Sequence, residues 1–280
     1  MYLPNIYSLV CVAELAGNHI RRNFRRKNRS TLKSDNTPVS EVDMAVHEMF
    51  MSWAKVLPNI GYISEEGDDF DRDCQSAIFV DPLDGTSAYL RGLSTVGIAI
   101  SLMRRLDDTW WEPVIGVIHE PVTEWTWAAT NTGQGFVQHG NSEDEPFSIA
   151  KTSDRPFKVT AVAWRNAPCR MEAIREALEK DPDMEHQSFG STAIGGGLIA
   201  SGLTNAVLFG GRSAVETAAM SLIVQGAGGV ATDLSGAPLV KYELTEHDGK
   251  FDFLLPNGSI MSSSQALNDR LVAIVEQVRK

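Results

Sequence analysis

The stretch AIFVDPLDGTSAYLRG (Ala77–Gly92) reads as an apolar strand that ends in an acidic turn and passes at once into a helix. Pro82 fixes the backbone after Asp81, and Gly85 permits a sharp turn after Asp84. A turn of this kind can aim both carboxylates and the Leu83 carbonyl at one point, which is what a hard divalent cation requires. The helix that starts at Thr86 and Ser87 offers free N–H groups and a positive dipole end, which suits phosphate. Taken alone, the same residues fit a plain acidic turn or a helix cap equally well.

The elements around this stretch have the order of stacked helix and sheet layers. Ile6, Leu9, Val10, Ala13, Ala16, Ile20 and Phe24 recur at helical spacing. After the polar loop KNRSTLKSDNTPVS, the segment EVDMAVHEMFMSWAKVL predicts a second amphipathic helix. GYISEE and AIFVDPLD read as strand ends, with EGDDFDRDCQ between them as a charged loop. TVGIAISLM, PVIGVIHEP and EWTWAAT read as further strands of a largely antiparallel sheet. DEPFSIAKTSDRPF marks the expected boundary between an N-terminal α+β half, residues 1–150, and a C-terminal α/β half, residues 151–280. Beyond it, strands KVTAVAW and NAVLF alternate with helices CRMEAIREALEK, STAIGGGLIASGL, AVETAAMSLIVQGA and SQALNDRLVAIVEQV.

Composition narrows the function classes. A chain of 280 residues, 43% of them apolar, can bury a sizeable core. No segment approaches the roughly 18 apolar residues of a membrane span. The N-terminal apolar run lacks a preceding basic stretch and is interrupted by Glu14, so it is read as a helix and not as a signal peptide. The 3 cysteines, Cys11, Cys74 and Cys169, have no metal-ligand spacing, which favours a reducing, cytoplasmic setting. A formal net charge of -11 argues against a nucleic-acid polymer as partner. The exception is RRNFRRKNR (Arg21–Arg29), a solvated helix end or a basic funnel for an anionic substrate. Four of the 6 tryptophans lie in DTWWEP and EWTWAA and are read as core or subunit-interface residues. His119 and His186 are read as ordinary polar or core histidines.

Other acidic residues join the first pair. ISEEG places Glu65 and Glu66 at a strand end, KSDNTPVSEVD brings Asp35, Thr37 and Asp43 to the mouth of the second helix, and Glu216 falls in the first turn of a later one. With these in view, the chain resembles the inositol monophosphatase superfamily of Mg²⁺-dependent, lithium-sensitive phosphatases, from about Lys33 to Pro238. DPLDGT matches that family's Asp-Pro-Ile/Leu-Asp-Gly-Thr signature. SEEG matches its Gly-Glu-Glu segment, with Ser64 in place of glycine, and SDNTPVSEVD matches its Asp-x-Ser/Thr-Pro-Val-Thr-x-x-Asp segment. AVETAAMSLIVQGAGGVATDLSG is similar to its Trp-Asp-x-Ala-Ala…Ala-Gly-Gly segment, with Val215 and Glu216 replacing tryptophan and aspartate.

The resemblance implies a layered αβαβα sandwich and a homodimer. It implies that Glu65, Asp81 and the Leu83 carbonyl hold one Mg²⁺, and that Asp81, Asp84 and Glu216 hold a second. Two or three ions are expected, with Mn²⁺ an option and Li⁺ inhibitory. Asp43 would orient Thr86, and Thr86 with Glu65 would orient the attacking water. Gly85 and Thr86 amides would touch phosphate, and Ser191, Thr192 and Ala193 of FGSTA would line the substrate pocket. The position of the family's polyol-binding glutamate holds Phe209, and nearby Arg212 offers a cation for a second anionic group. The implied activity is metal-assisted hydrolysis of a small phosphate ester. Alternatives are a 3'-phosphoadenosine nucleotide, histidinol phosphate or a sugar phosphate as substrate. A catalytically weak homologue with a binding or regulatory role is the alternative of another class.

Overall fold

The computed structural model describes residues 3–33, 37–149, 155–162, 170–247, 250–255 and 258–279, with the backbone alone at 212, 246, 247, 250–252 and 254. Asp35 and Cys169 lie outside the described residues. The chain opens with α1 (Ile6–Asn23), a hairpin of β1 (Ser30–Leu32) and β2 (Pro38–Ser40), and α2 (Glu41–Lys55). Then follow β3 (Ile60–Ser64), β4 (Gly67–Asp69), β5 (Ser76–Asp84), the short α3 (Thr86–Leu90), β6 (Gly97–Arg105), β7 (Trp110–Glu120), β8 (Trp125–Thr130) and β9 (Gly135–His139). Next come β10 (Phe157–Val162), α4 (Met171–Lys180), β11 (Met184–Gln187), α5 (Ile194–Ala200), β12 (Ala206–Phe209), β13 (Arg212–Ser213), α6 (Ala214–Gly226) and β14 (Val230–Asp233). The last part holds β15 (Tyr242–Glu243), β16 (Thr245–His247), β17 (Lys250–Asp252), β18 (Leu254–Leu255), β19 (Ser259–Ser262) and α7 (Gln265–Arg279).

An 8-stranded sheet runs β4-β3-β5-β6-β7-β8-β9, with β15 paired to β7. β3 and β5 are parallel, and the other neighbours along this path are antiparallel. A 5-stranded mixed sheet runs β11-β10-β12-β19-β14. α1 and α2 cover one face of the large sheet through Leu9, Ile20, Val46 and Phe50. α5 and α6 lie between the two sheets, and α4 and α7 cover the outer face of the smaller one. The layer order is the αβαβα sandwich expected from the sequence. α6 is buried from Ala214 to Val224, as a helix between two sheets must be when it is apolar all round. Gly116 lets it come close to β7: a Cβ there would sit 2.8 Å from the Ala219 Cα.

Several segments differ from the sequence expectation. The polar loop KNRSTLKSDNTPVS holds the β1–β2 hairpin, and β9, β11, β14 and β19 lie where the sequence reading places no strand. EGDDFDRDCQ contains β4, an edge strand whose charged residues hide it from pattern reading and suit an exposed edge. The strand expected in KVTAVAW runs Phe157–Val162, and residues 163–169 lie outside the described ones. The glycine-rich helix begins at Ile194, so Ser191, Thr192 and Ala193 form the turn before it. Of the clustered tryptophans, Trp111 and Trp127 are fully buried, whereas Trp125 is 37% exposed.

His119 on β7 is buried, with Nδ1 2.8 Å from the Thr126 hydroxyl. Burial pushes its imidazole from the ordinary 6.5 down to about 4. In that window the unfolded chain binds more protons than the fold, so stability falls as pH drops through it and is level above it. The stability difference between the parent and His119→Gln, from urea melts in EDTA, is expected to shrink by about 3 kcal/mol between pH 7 and pH 4. A difference independent of pH would show that the imidazole is solvated.

Candidate active site

The acidic turn is built by a β-bulge. Asp81 pairs with Ala99 and Asp84 with Gly97, so β5 spends one residue more than β6 over this interval. In a regular strand, residues three apart face opposite sides of a sheet. The extra residue turns both carboxylates to one side, and Pro82 sits inside the irregular step, where a missing N–H costs no ladder bond. Gly85 follows with φ +90°, and a Cβ there would meet the Gly190 carbonyl at 2.8 Å. Thr86 then opens α3.

The second helix supplies the partner of Thr86. Ser40 caps α2, its hydroxyl accepting from the Val42 and Asp43 N–H groups at 3.2 and 3.4 Å. Asp43 returns the contact: its Oδ2 accepts from the Ser40 N–H at 2.9 Å and from the Ser40 hydroxyl. That leaves Oδ1 to accept the Thr86 hydroxyl at 2.6 Å. Burial pushes the Asp43 carboxyl up, against the lowering effect of its bonds from Ser40 and Thr86. The Thr86 hydroxyl also lies 3.1 Å from the Leu83 carbonyl.

Glu65 and Glu66 form the loop of the β3–β4 hairpin, between the paired residues Ser64 and Gly67. Lys33, just past β1, bonds Glu65 at 2.8 Å and Glu66 at 2.7 Å. Burial works against its charge, but the two glutamates outweigh burial and hold the ammonium above its ordinary range. Burial also pushes the Glu66 carboxyl up.

The structure brings Asp81, Asp84 and Glu216 together, with one oxygen of each within 4.8 Å of the others. All three are buried, at 1%, 7% and 6% exposure. The Asp84 carboxylate accepts from the Ser191 hydroxyl and the Ala193 N–H. Asp81 Oδ1 accepts from the Leu83 N–H at 3.1 Å, while its Oδ2 is buried with no protein hydrogen-bond partner. Burial, then the charges of Glu65, Asp84 and Glu216, push the Asp81 carboxyl well above the usual range. A buried carboxylate with one orphaned oxygen, clustered with two further carboxylates, fits a hard divalent cation, whose charge would offset their repulsion. Asp81, Asp84, Glu216 and the adjacent Glu65 are the residues that could hold one.

Thr192 is buried beside Ser191 and Ala193. Phe209 is fully buried in the layer between the sheets. The Arg212 backbone pairs with Leu255, and its side chain lies outside the described residues. Sequence reasoning missed Lys33 and Ser40. The spacing Ser40-x-x-Asp43 before an apolar run is close to a capping box and marks Ser40, whereas nothing local marks Lys33.

The chain belongs to the inositol monophosphatase family, whose family model matches residues 5–280. It is 28% identical over 240 residues to the 3'(2'),5'-bisphosphate nucleotidase CysQ of Aggregatibacter actinomycetemcomitans, over 84% of this chain and 86% of the relative. It is also 28% identical over 245 residues to the Nus factor SuhB of Pasteurella multocida, over 83% of this chain and 86% of the relative. The fold is similar to that of extragenic suppressor protein suhB from Bartonella henselae, with a TM-score of 0.78 and 21% identity over 96% of this chain and 97% of that one. It is similar too to the Thermotoga maritima IMPase, with a TM-score of 0.77 and 19% identity over 97% of this chain and 96% of that one.

Proposed function

We propose that the chain is a Mg²⁺-dependent phosphomonoesterase that hydrolyses a small phosphate ester by direct attack of water. The observation that carries this reading is the buried cluster of Asp81, Asp84 and Glu216 next to the Thr86–Asp43 pair. Glu65, Asp81, the Leu83 carbonyl, Asp84 and Glu216 would hold two or three ions, with Mn²⁺ able to replace Mg²⁺ and Li⁺ inhibitory. Bound ions would supply positive charge that offsets the phosphate's and lowers the pKa of the attacking water. The chain's own residues then set direction. The Thr86 hydroxyl donates its hydrogen bond to Asp43, which leaves its lone pairs to accept from a water O–H. Ser40 fixes Asp43 for that task. Glu65 would take a second water contact, and the Gly85 and Thr86 N–H groups would meet phosphate oxygens. Ser191 and Ala193 hold the Asp84 carboxylate in one orientation. We further infer a substrate pocket that includes Ser191, Thr192, Ala193 and Arg212, a division near residue 150, a homodimer and a cytoplasmic setting.

Glu216 reaches one methylene further than the aspartate of the family motif. Mg²⁺ demands short, near-octahedral ligands, whereas larger ions tolerate displaced ones. Glu216→Gln is expected to lose most of the activity. Glu216→Asp is expected to shift the Mg²⁺ concentration required more than the substrate KM. If both variants match the parent across a Mg²⁺ titration, Glu216 acts only on the helix dipole.

A second reading names the substrate as a nucleoside bisphosphate. Relatives in Aggregatibacter actinomycetemcomitans and Haemophilus influenzae carry the name 3'(2'),5'-bisphosphate nucleotidase. Phe209 offers a polyol no hydrogen-bond acceptor. Arg91 folds back along α3, donating to the Ser87 carbonyl at 3.0 Å, so its charge lies one residue from Thr86. Phosphate release from a panel of esters at fixed Mg²⁺ separates the readings. Fastest turnover of a nucleoside 3',5'-bisphosphate supports the second, and fastest turnover of an inositol phosphate contradicts it.

A further inference from the structure

Behind the Glu65–Glu66 loop lies a polar cluster that the proposed chemistry leaves without a task. His47, on the inner face of α2, places Nδ1 3.1 Å from the Tyr62 hydroxyl and 3.2 Å from the Ser64 hydroxyl. The Tyr62 hydroxyl also reaches the His47 carbonyl at 3.4 Å. Ser64 Oγ in turn accepts from the Glu66 N–H at 3.2 Å. Both His47 and Tyr62 are buried. The chain of contacts therefore runs from α2, through an imidazole and a phenol, to the peptide N–H of the two-residue loop that carries Glu65.

We propose that His47, Tyr62 and Ser64 form a positioning device that fixes the Glu65–Glu66 loop for ion binding, with Ser64 Oγ as the element that touches the loop. A serine hydroxyl that accepts the N–H two residues on closes a compact turn. A hydroxyl held by a buried ring cannot rotate away from that N–H as a free one can. Ser64 stands where the family signature quoted above has glycine, which has no acceptor to offer and leaves the backbone freer. The loop is also held by the Glu65 N–H, which donates to the Val80 carbonyl at 3.3 Å, and by Lys33, whose ammonium contacts Glu66 and Glu65, the latter being the carboxylate an ion would take. Ser64 holds the loop through its backbone and leaves the Glu65 oxygens available. Partners of this kind, one bond removed from a ligand, set how well a ligand is presented, and their loss typically weakens metal affinity by about ten- to a hundredfold.

The inference rests on Glu65 being an ion ligand, and the experiment keeps the two apart. Mn²⁺ binding to the chelator-stripped full chain is measured by calorimetry for the parent, Glu65→Gln, Ser64→Ala and Ser64→Thr. The thermal midpoint of each stripped protein is recorded alongside. Ser64→Ala is expected to weaken Mn²⁺ binding about tenfold, and Ser64→Thr, which keeps the hydroxyl, to restore it to near the parent value. His47→Phe in the Ser64→Ala background is expected to add little, because both act through one hydrogen bond. Unchanged Mn²⁺ affinity in Ser64→Ala overturns the inference, whether or not the thermal midpoint falls, because a merely structural serine moves the midpoint alone. If Glu65→Gln also leaves the affinity unchanged, the assignment of Glu65 as a ligand fails with it. If Glu65→Gln weakens binding and Ser64→Ala does not, the positioning role alone is lost.

Discussion

Asp81→Asn is expected to lower Mg²⁺-dependent phosphate release by about a thousandfold or more, while the ion-free protein melts higher than the parent. The rate effect follows from the ligand's place. Asp81 is the carboxylate on which the charges of Glu65, Asp84 and Glu216 converge, and the ions it would hold provide several kcal/mol of stabilisation for phosphate charge. The stability effect has the opposite sign. In the ion-free fold the Asp81 carboxyl is pushed up, so it contributes stability at low pH that is lost as pH rises through its folded value. An amide does not titrate, and its NH₂ can donate to the neighbouring carboxylates where Oδ2 now has no partner. The gain at neutral pH is expected to be about 3 °C in EDTA. Scanning calorimetry of both proteins with and without Mg²⁺ checks it. A variant that melts lower than the parent in EDTA would show that Asp81 is not an electrostatic burden in the empty fold.

Thr86→Ala is expected to reduce the rate by about two to four powers of ten, the usual scale for a positioned proton-transfer group. The hydroxyl lies 2.6 Å from Asp43 Oδ1, and Asp43 stays fixed by Ser40 when the hydroxyl is removed. The loss should therefore fall on kcat, with Mg²⁺ affinity little changed. Single-turnover phosphate release and calorimetric Mg²⁺ titration, run on the same preparation, separate the two. Collapse of ion binding together with the rate would give Thr86 a role as ligand instead.

The local parts of this site are legible in the sequence because local chemistry builds them. Pro82 and Gly85 encode the turn, and Ser40 and Asp43 encode the start of α2. Convergence is harder to read. Asp81 and Asp84 face one way only because β5 carries a bulge against β6, which is a matter of register between strands. Glu216 reaches them on α6, which packs on the face of the sheet opposite α1 and α2. The resemblance to a family supplied that closure where periodicity could not. Lys33 is invisible for the same reason: its partners Glu65 and Glu66 are distant in the chain, and a single lysine within a polar loop has no pattern. FGSTA is instructive in another way. The resemblance makes Ser191, Thr192 and Ala193 candidate substrate contacts, and the structure adds a bond from the Ser191 hydroxyl and one from the Ala193 N–H to the Asp84 carboxylate, which no local pattern signals. β4 was hidden because an edge strand made of glycine and aspartate has no apolar alternation to detect.

Phosphate release by the chelator-stripped protein, before and after Mg²⁺ is added back, tests the central claim most directly. The substrates should include a nucleoside 3',5'-bisphosphate, an inositol phosphate, histidinol phosphate and a sugar phosphate. Release should be absent in EDTA, return with Mg²⁺ for at least one ester, and stay absent in Asp81→Asn under the same addition. Release that persists undiminished in EDTA, or no release from any ester at saturating Mg²⁺ or Mn²⁺, would contradict a metal-dependent phosphomonoesterase built on Asp81, Asp84 and Glu216.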